Sequence, residues 1–113
     1  MTTTEWDALP DTVKTFMTAL DARDVGRALA TLTPGAVVTD EGHDYNGHDE
    51  IGTWMATAVT EYTYTTAFTG STSTDVGVTI TQHLEGNFPG GVADLNYRFT
   101  LGDGLISRVV IEP

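Results

Sequence analysis

The hydrophobic residues of this chain change their spacing once, near residue 62. Before that point they recur every three or four positions, which is typical of amphipathic helices. After it they alternate with polar residues, which is typical of strands with one buried face. A chain that runs from helices into hairpin-connected strands packs its helices on one face of an antiparallel sheet. The pattern therefore predicts an α+β fold.

Three helices are expected in the first half of the chain. The first spans about residues 10–22, and Asp7 or Asp11 can cap its start. The second starts at Asp24 and stops before Pro34. The inward residues of the second helix are Val25, Ala28, Leu29 and Leu32.

A short strand and a polar loop are expected between the second helix and the third. The strand covers residues 36–39, and the loop covers residues 40–46. The third helix follows Gly47 and has an apolar face at helical spacing. The residues on that face are Ile51, Trp54, Met55, Ala58 and Val59.

The second half of the chain predicts four antiparallel strands that form a meander. A Gly-Ser-Thr turn at Gly70, the FPGG turn at residues 88–91 and the Asp103-Gly104 hairpin separate them. The inward residues are expected to be Tyr62, Tyr64, Thr66 and Phe68, then Val76, Val78, Ile80 and Leu84, then Ala93, Leu95, Tyr97, Phe99 and Leu101.

Composition limits the partners that this chain can have. Its 113 residues suit one domain, residues 1–113, and a hydrophobic content of 40% is sufficient for a core. The net charge of −11 disfavours nucleic acid and anionic membranes as partners. The absence of cysteine excludes disulfides and thiolate metal ligands. With neither a signal peptide nor a membrane-spanning run, a cytoplasmic location is expected.

The order of these elements and two stretches of sequence resemble a known family. The stretches are TPGAVVTDEGHDYNGHDEIGTW and FPGGVADLNYRFTLGDGLISRVVIEP. Over residues 13–113 the chain is similar to the SnoaL-like and ketosteroid-isomerase-like branch of the nuclear transport factor 2-like superfamily. The resemblance implies a cone-shaped cup of three N-terminal helices packed on a curved, mainly antiparallel β-sheet. It also implies a homodimer that pairs through the convex faces of the two sheets.

The resemblance singles out Asp40 as a candidate general base. Residues 16–24 and 36–40 align with the first helix and first strand of ketosteroid isomerases, and Asp40 falls where those enzymes keep their proton-shuttling aspartate. A carboxylate that faces an apolar cup is desolvated, which suits a general base. The alternative is that Asp40 only caps or bends the loop that follows the strand.

The hydrogen-bond donors of ketosteroid isomerases have no counterparts at the aligned positions. These positions carry Phe16, Leu32, Met55 and Leu95. Because the loss of one such donor costs roughly 3 to 4 kcal/mol of transition-state stabilisation, ketosteroid isomerisation itself is disfavoured. The Asp-Arg-Asp relay of epoxide hydrolases is also disfavoured, since Arg98 alternates with the apolar row of its strand.

Two sets of residues are therefore candidates for a site. The catalytic candidates are Asp40 as base, with His43 or Tyr97 as the acid. The substrate-binding candidates share the inward faces of helices and strands and are Phe16, Leu20, Trp54, Met55, Tyr62, Tyr64, Leu95 and Phe99. The alternative for most of this second set is that they simply form the core.

We expect neither a metal site nor a cofactor site among the other polar residues. The histidines and carboxylates of residues 40–49 lack any recognised ligand spacing, so no metal site is expected. No nucleotide-binding motif is present, and acid–base chemistry needs no cofactor. The polar strand faces, which include His83, Asp94, Asn96 and Arg98, are expected to form a hydrogen-bonded dimer interface.

Two functions remain open at this point. In the first, the protein binds an apolar or aromatic small molecule and catalyses proton transfer without a cofactor, as an isomerase or a polyketide cyclase does. In the second, it is a non-catalytic ligand-binding or dimeric interaction module of the same fold. The presence of Asp40 favours the first function, and the missing donors favour the second.

Overall fold

The structure, a computed structural model, describes residues 2–3, 6–57 and 63–113. Within these residues the helices are a 3₁₀ turn (Trp6–Ala8), α1 (Asp11–Ala22), α2 (Val25–Leu29) and α3 (Gly47–Thr57). The strands are β1 (Thr2–Thr3), β2 (Leu32–Asp40), β3 (His43–Asn46), β4 (Tyr64–Ser73), β5 (Gly77–Gly86), β6 (Val92–Gly102) and β7 (Leu105–Glu112).

All seven described strands join one sheet in the order β1-β4-β5-β6-β7-β2-β3. Every pair of neighbours is antiparallel except β2 and β7, which run parallel. The three α-helices pack on one face of this sheet, so the predicted α+β fold with a mainly antiparallel sheet is confirmed. Of the described helices, none has the length and apolarity that a membrane span requires.

The two faces of the sheet differ in the residues that they present. The face under the helices, here called the inner face, carries buried residues that include Val78, Ile80, Tyr97, Phe99 and Val109. The opposite face, called the outer face, carries the polar residues that alternate with them along β5 and β6, and these include Thr79, Thr81, His83, Asp94, Asn96 and Arg98.

The core joins α1 and α3 to the inner face. The Phe16 ring of α1 packs edge-on against the Phe99 ring of β6, with the ring centroids 5.7 Å apart. Both side chains are almost fully buried, and so are Met17, Ile51 and Met55. Burying each such side chain contributes about 1.5–3 kcal/mol to folding, so this layer holds the helices on the sheet.

Three interruptions of strand pairing bend the sheet. The register shifts between Phe68 and Gly70 in β4, between Thr100 and Leu101 in β6, and between Leu32 and Val37 in β2. Extra residues of this kind bend a strand and increase its twist. The sheet can therefore curve around the helices that cover it.

Two local predictions are confirmed, the start of the second helix at Asp24 and the hairpin at Asp103-Gly104. Asp24 caps α2 by accepting a hydrogen bond from the backbone N–H of Arg27 at 3.2 Å. The Asp103-Gly104 pair forms the predicted hairpin turn, with φ of 53° and 80°. These two positive angles match the two-residue turn that suits the twist of antiparallel strands.

The predicted second helix is too long. It ends at Leu29, and Leu32 instead begins β2, where it pairs with Ile106. Pro34 lies inside β2 at the register shift between Leu32 and Val37, where the ladder with β7 is interrupted. The missing N–H of proline therefore removes no regular ladder bond, so the residue is tolerated within a strand.

The predicted polar loop over residues 40–46 is also wrong. Glu41 and Gly42, with φ of 53° and 75°, form a two-residue turn, and β3 then pairs back along β2. Because β3 is the last strand of the sheet and is mostly exposed, its sequence carries no apolar alternation. That explains why periodicity alone misses this strand.

Three further predictions need correction: the turn at Gly70, the inward position of Val76 and the side-chain cap of α1. The chain does not turn at Gly70, since β4 absorbs the extra residue as a bulge and continues to Ser73. Val76 therefore lies between strands and is 64% exposed instead of facing inward. At the start of α1, the cap position is Pro10 and no side chain caps it, so neither Asp7 nor Asp11 has that role. Ala58 and Val59 lie outside the described residues.

Candidate functional site

Asp40 is placed on the inner face at the end of β2. It follows Val38, which is fully buried, and its neighbour across the parallel pair with β7 is Ile111. The indole N–H of Trp54 in α3 donates a hydrogen bond to Asp40 Oδ2 at 3.0 Å. Trp54 is itself buried, so this bond fixes the carboxylate between the helix layer and the sheet.

Tyr97 supplies a phenol on the same face. It lies in the middle of β6, opposite Ile111 of β7 and Ile80 of β5, and only 5% of it is exposed. Burial raises the pKa of Tyr97, and the neighbouring Tyr64, Asp21 and Asp40 raise it further. The hydroxyl therefore keeps its proton at neutral pH and is available as a hydrogen-bond donor.

Tyr64 and Asp21 complete a group that we call the acid–tyrosine cluster, formed by Asp21, Asp40, Tyr64 and Tyr97. Burial raises the pKa of Tyr64, the Arg23 guanidinium lowers it, and the Asp21 and Asp40 carboxylates raise it again. The Arg23 guanidinium lies 5.2 Å from the centre of the Tyr64 ring. The four members come from α1, β2, β4 and β6, so they meet only in the folded chain.

Asp21 is held in this cluster by a hydrogen bond across the helix–sheet boundary. The Thr66 hydroxyl of β4 donates to Asp21 Oδ2 at 3.0 Å. Partial burial raises the pKa of Asp21, while the Thr66 hydrogen bond and the Arg23 charge oppose that increase. The end of α1 therefore places a second carboxylate beside the two tyrosines.

A row of three aromatic rings, tilted relative to one another, lies beside Asp40. The His43 ring is 4.5 Å from the Tyr45 ring, and the Tyr45 ring is 5.9 Å from the Trp54 ring, measured between centroids. Asp40 pairs with His43 across the β2–β3 hairpin, so their side chains share a face. His43 is exposed, whereas Tyr45 is partly buried against the core.

One buried side-chain oxygen on the inner face, Gln82 Oε1, has no hydrogen-bond partner among the residues that the structure describes. Gln82 lies in β5 between the buried residues Ile80 and Leu84 and is 3% exposed. Among the described residues, no hydrogen bond reaches its Oε1 atom. An unpaired buried acceptor lowers the stability of the folded state by about 1–3 kcal/mol. A hydrogen-bond donor from outside the described part of the chain would remove this penalty.

The comparison with protein families gives a match to the SnoaL-like domain over residues 13–109. The chain belongs to this family. The prediction of a SnoaL-like, nuclear transport factor 2-like fold is thereby confirmed. Comparison with curated proteins gives no significant match.

Solved structures show how widely this SnoaL-like fold occurs. A protein from Sinorhizobium meliloti, provisionally assigned as a polyketide cyclase, is 31% identical, with a TM-score of 0.89 over 96% of this chain and 100% of that chain. RV0760c from Mycobacterium tuberculosis, solved in complex with estradiol-17β-hemisuccinate, is 16% identical with a TM-score of 0.75 over 93% and 94%. Δ5-3-ketosteroid isomerase from Mycobacterium sp. is 15% identical with a TM-score of 0.75 over 93% of each chain. At 16% and 15% identity, the similarity to RV0760c and to the ketosteroid isomerase shows a shared fold only.

The predicted site residues of this SnoaL-like chain fall into two layers. Phe16, Met55 and Phe99 lie deep in the core, and Leu20 is 5% exposed beside them. Leu95 and Tyr64 are partly buried on the inner face, where Leu95 packs against the core. Tyr62 lies outside the described residues. The structure thus places Asp40, Tyr64 and Tyr97 on the inner face, with Trp54 bonded to Asp40, while Phe16, Met55 and Phe99 are packed in the core.

Two residues of the site escape the sequence analysis. Gln82 occupies a position in the inward row of β5, where a polar side chain interrupts Val78, Ile80 and Leu84. That interruption is the signal that could have identified it. Asp21 directly follows the buried Leu20 near the end of α1, and its partner Thr66 lies in the inward row of β4. Only their contact marks Asp21 as part of the site.

The remaining histidines serve other contacts. His48 Nε2 approaches the carbonyl oxygens of Thr33 and Leu32 at 3.1 and 3.3 Å, and carbonyls accept, so the ring donates there. His83 lies on the outer face, with Nδ1 at 2.8 Å from Asp94 and Nε2 at 3.0 Å from Glu85. Within the described ranges, no three histidine and carboxylate side chains are placed to hold a metal ion.

Proposed function

We propose that this protein binds an apolar or aromatic small molecule against the inner face and catalyses proton transfer on it without a cofactor. The single observation that carries the proposal is the placement of Asp40 and Tyr97 in one cross-strand row of the inner face, on either side of Ile111. A carboxylate is a proton acceptor, and a phenol with a raised pKa is a proton-bearing donor. Together they supply the two groups that an isomerase or cyclase of the polyketide type needs.

The chemistry follows from these two groups. The Asp40 carboxylate removes a proton from a carbon next to a carbonyl group, and the bonding electrons move onto the carbonyl oxygen as an enolate. The Tyr97 hydroxyl donates a hydrogen bond to that oxygen, which stabilises the developing charge. Asp40 then returns the proton to a different carbon and the carbonyl is restored. Alternatively, the enolate carbon attacks a second carbonyl and closes a ring, and the alkoxide that forms there takes the proton back from Asp40. The Trp54 hydrogen bond orients Asp40 throughout.

The ligand class is inferred from the lining and from related proteins. The described inner face is mostly apolar, with the acid–tyrosine cluster, Thr66, Ser71 and Gln82 among its polar residues, so rings and short hydrocarbon segments fit it best. A relative of 31% identity is assigned, provisionally, as a polyketide cyclase, and a neighbour of the same fold holds a steroid derivative. Both facts favour a fused-ring ligand, and the proposed proton removal requires that this ligand carry a carbonyl group.

The apolar residues at two aligned donor positions favour a second function. Phe16 and Leu95 stand where ketosteroid isomerases place donors, and Phe16 is fully buried in the core. A cup that binds its ligand without reaction would need no such donors. Binding without catalysis is therefore the alternative that the experiment must separate.

Hydrogen–deuterium exchange on a ketone probe tests the proposal. 2-Tetralone is incubated with the protein in D₂O, and loss of the α-carbon proton signals is followed by NMR. We expect the wild-type protein to accelerate exchange and Asp40→Asn to lose about 100-fold or more of that rate, because general-base catalysis contributes roughly 10²–10⁴-fold. Asp44→Asn is the matched control, since Asp44 lies in the same hairpin but bonds to Thr39.

Three outcomes distinguish the possibilities. Exchange that is lost only in Asp40→Asn supports Asp40 as the base. Exchange that persists in Asp40→Asn contradicts that role. Binding of 2-tetralone without accelerated exchange in the wild-type protein favours the non-catalytic module.

We further propose that two copies of the chain pair through the outer face. This face presents paired charges, such as Arg98 with Glu112 at 2.9 Å, and hydroxyl–amide pairs, such as Thr81 with Asn96 at 2.7 Å. A polar face of this kind suits a hydrogen-bonded interface between identical sheets. Sedimentation at micromolar concentration is expected to give twice the chain mass of 12.1 kDa. A mass of one chain would contradict the dimer.

A further inference from the structure

We propose that Gln82 is a ligand-binding residue that selects molecules carrying a hydroxyl group. Its Oε1 atom accepts a hydrogen bond from that hydroxyl on the apolar inner face. The inference rests on the proposed binding of an aromatic ligand and narrows the ligand class from apolar rings to hydroxylated rings.

The position of Gln82 places it among the residues that would line the ligand. Its neighbours across the sheet are Leu95 of β6 and Phe68 of β4, both on the inner face. Tyr97 pairs with the adjacent inward residue Ile80, so Tyr97 is a diagonal neighbour of Gln82. Gln82 and Tyr97 therefore stand on adjacent strands of one surface.

The unpaired oxygen is the observation that points to a ligand. Gln82 is 3% exposed, and within the described part of the chain its Oε1 atom has no hydrogen-bond partner. Buried side-chain acceptors are nearly always paired in folded proteins. An amide in a row of apolar residues, whose Oε1 has no partner among the described residues, fits a group whose partner arrives with the ligand.

The chemistry of the acceptor defines the complementary group. A carbonyl oxygen of an amide accepts a hydrogen bond and cannot donate one, so the ligand must present a donor. On an apolar ring system that binds beside Tyr97, the simplest donor is a phenolic or alcoholic hydroxyl. The same oxygen would repel the lone pairs of an ether or a ketone placed there.

Two probes that differ in one hydrogen-bond donor test the inference. 2-Naphthol donates through its hydroxyl, whereas 2-methoxynaphthalene has the same rings and oxygen but no donor. Their dissociation constants are measured by following backbone amide shifts of the full chain in NMR titrations. We expect wild-type protein to bind 2-naphthol roughly tenfold more tightly than 2-methoxynaphthalene, which corresponds to one buried hydrogen bond.

Gln82→Met removes the acceptor while keeping the length of the side chain. The preference for 2-naphthol should then disappear. Because this variant also removes an unpaired buried polar atom, its melting temperature without ligand should rise by about 4 °C for each kcal/mol regained. A purely structural role for Gln82 predicts the opposite change of melting temperature, so the two readouts together separate binding from folding.

Thr81→Val is the matched control. Thr81 precedes Gln82 on the same strand but faces outward and bonds to Asn96. Its removal should leave the preference for 2-naphthol unchanged.

Each remaining outcome has a definite meaning. Equal binding of the two probes by the wild-type protein overturns the role of Gln82 and leaves the proposed binding of aromatic rings intact. A preference that survives in Gln82→Met, or a fall in the melting temperature of that variant, also overturns it. Failure of both probes to bind would overturn this inference together with the proposed function.

Discussion

Trp54 Nε1 and Asp40 Oδ2 lie 3.0 Å apart and form a hydrogen bond that joins α3 to the end of β2. This bond uses one carboxylate oxygen, and no hydrogen bond from another described residue reaches Oδ1. The indole thus sets the orientation of the carboxylate. The direction of Oδ1 follows from this one bond. Trp54, whose place in the sequence pattern indicates a core residue, therefore positions the candidate base Asp40.

Trp54→Phe is expected to lower the free energy of unfolding by at least about 1.5–3 kcal/mol. The substitution removes the only donor of the indole, and hydrogen bonds to charged groups contribute in that range. The loss of packing volume adds to it because Trp54 is 2% exposed. Chemical denaturation of the two proteins measures the difference.

A double-mutant cycle isolates the hydrogen bond from the packing loss. The cycle combines Trp54→Phe with Asp40→Ala, and the coupling energy is the part that the two residues share. We expect a coupling of about 1 kcal/mol or more. Simple additivity of the two changes would contradict the interaction.

Asp21→Asn is expected to stabilise the protein at pH 7 and to have little effect at pH 3. Partial burial raises the pKa of Asp21 above its ordinary value of 3.8. The folded state therefore holds the proton of Asp21 more tightly than the unfolded state does. The stability that this gives is present below the unfolded pKa and is lost as the pH rises through the folded pKa.

The side-chain amide introduced by Asp21→Asn can still accept the hydrogen bond from Thr66, so the variant removes the charge and keeps the contact. Because Asp21 remains partly open to solvent, we expect a gain of less than about 1 kcal/mol at pH 7. Denaturation at the two pH values measures it. Asp75→Asn is the control for net charge, and an equal pH dependence in that variant would argue against a specific environment at Asp21.

Gly77→Ala is expected to destabilise the fold by about 3 kcal/mol. A Cβ at this position would collide with the backbone carbonyl of Phe99 on the adjacent strand, and a strand backbone cannot move aside cheaply. Gly70→Ala is the matched control, since a Cβ there meets no atom within 4 Å. Thermal denaturation compares both variants with the wild type. Similar melting temperatures for the two variants would contradict the close approach at Gly77.

Most elements of the fold are predictable from local pattern. The inward rows of α1, β5 and β6 follow directly from periods of 3.6 and two, because one face of each element must leave water. The turn at Asp103-Gly104 and the cap at Asp24 are predictable because short side chains and glycine satisfy those backbone positions better than other residues do.

The errors arise where pairing partners decide the structure. Leu32 fits a helical pattern but becomes a strand residue because β7 lies beside it. Residues 43–46 have no apolar alternation, yet they pair with β2 at the edge of the sheet. Neither pairing can be seen in the local sequence, since both depend on contacts that the whole chain makes.

The sequence by itself determined the α+β class and most of the inward residues, because these depend on local periodicity. The candidacy of Asp40 comes from the resemblance to ketosteroid isomerases, and Tyr97 is singled out by its hydroxyl on an inward row. Only the tertiary structure decided that Asp21, Asp40, Tyr64 and Tyr97 converge, and that Gln82 is buried without a partner for its Oε1 among the described residues. This arrangement requires the parallel pairing of β2 with β7 and the hydrogen bond that joins Thr66 of β4 to Asp21 of α1. These contacts join residues far apart in the chain, and no local pattern encodes them.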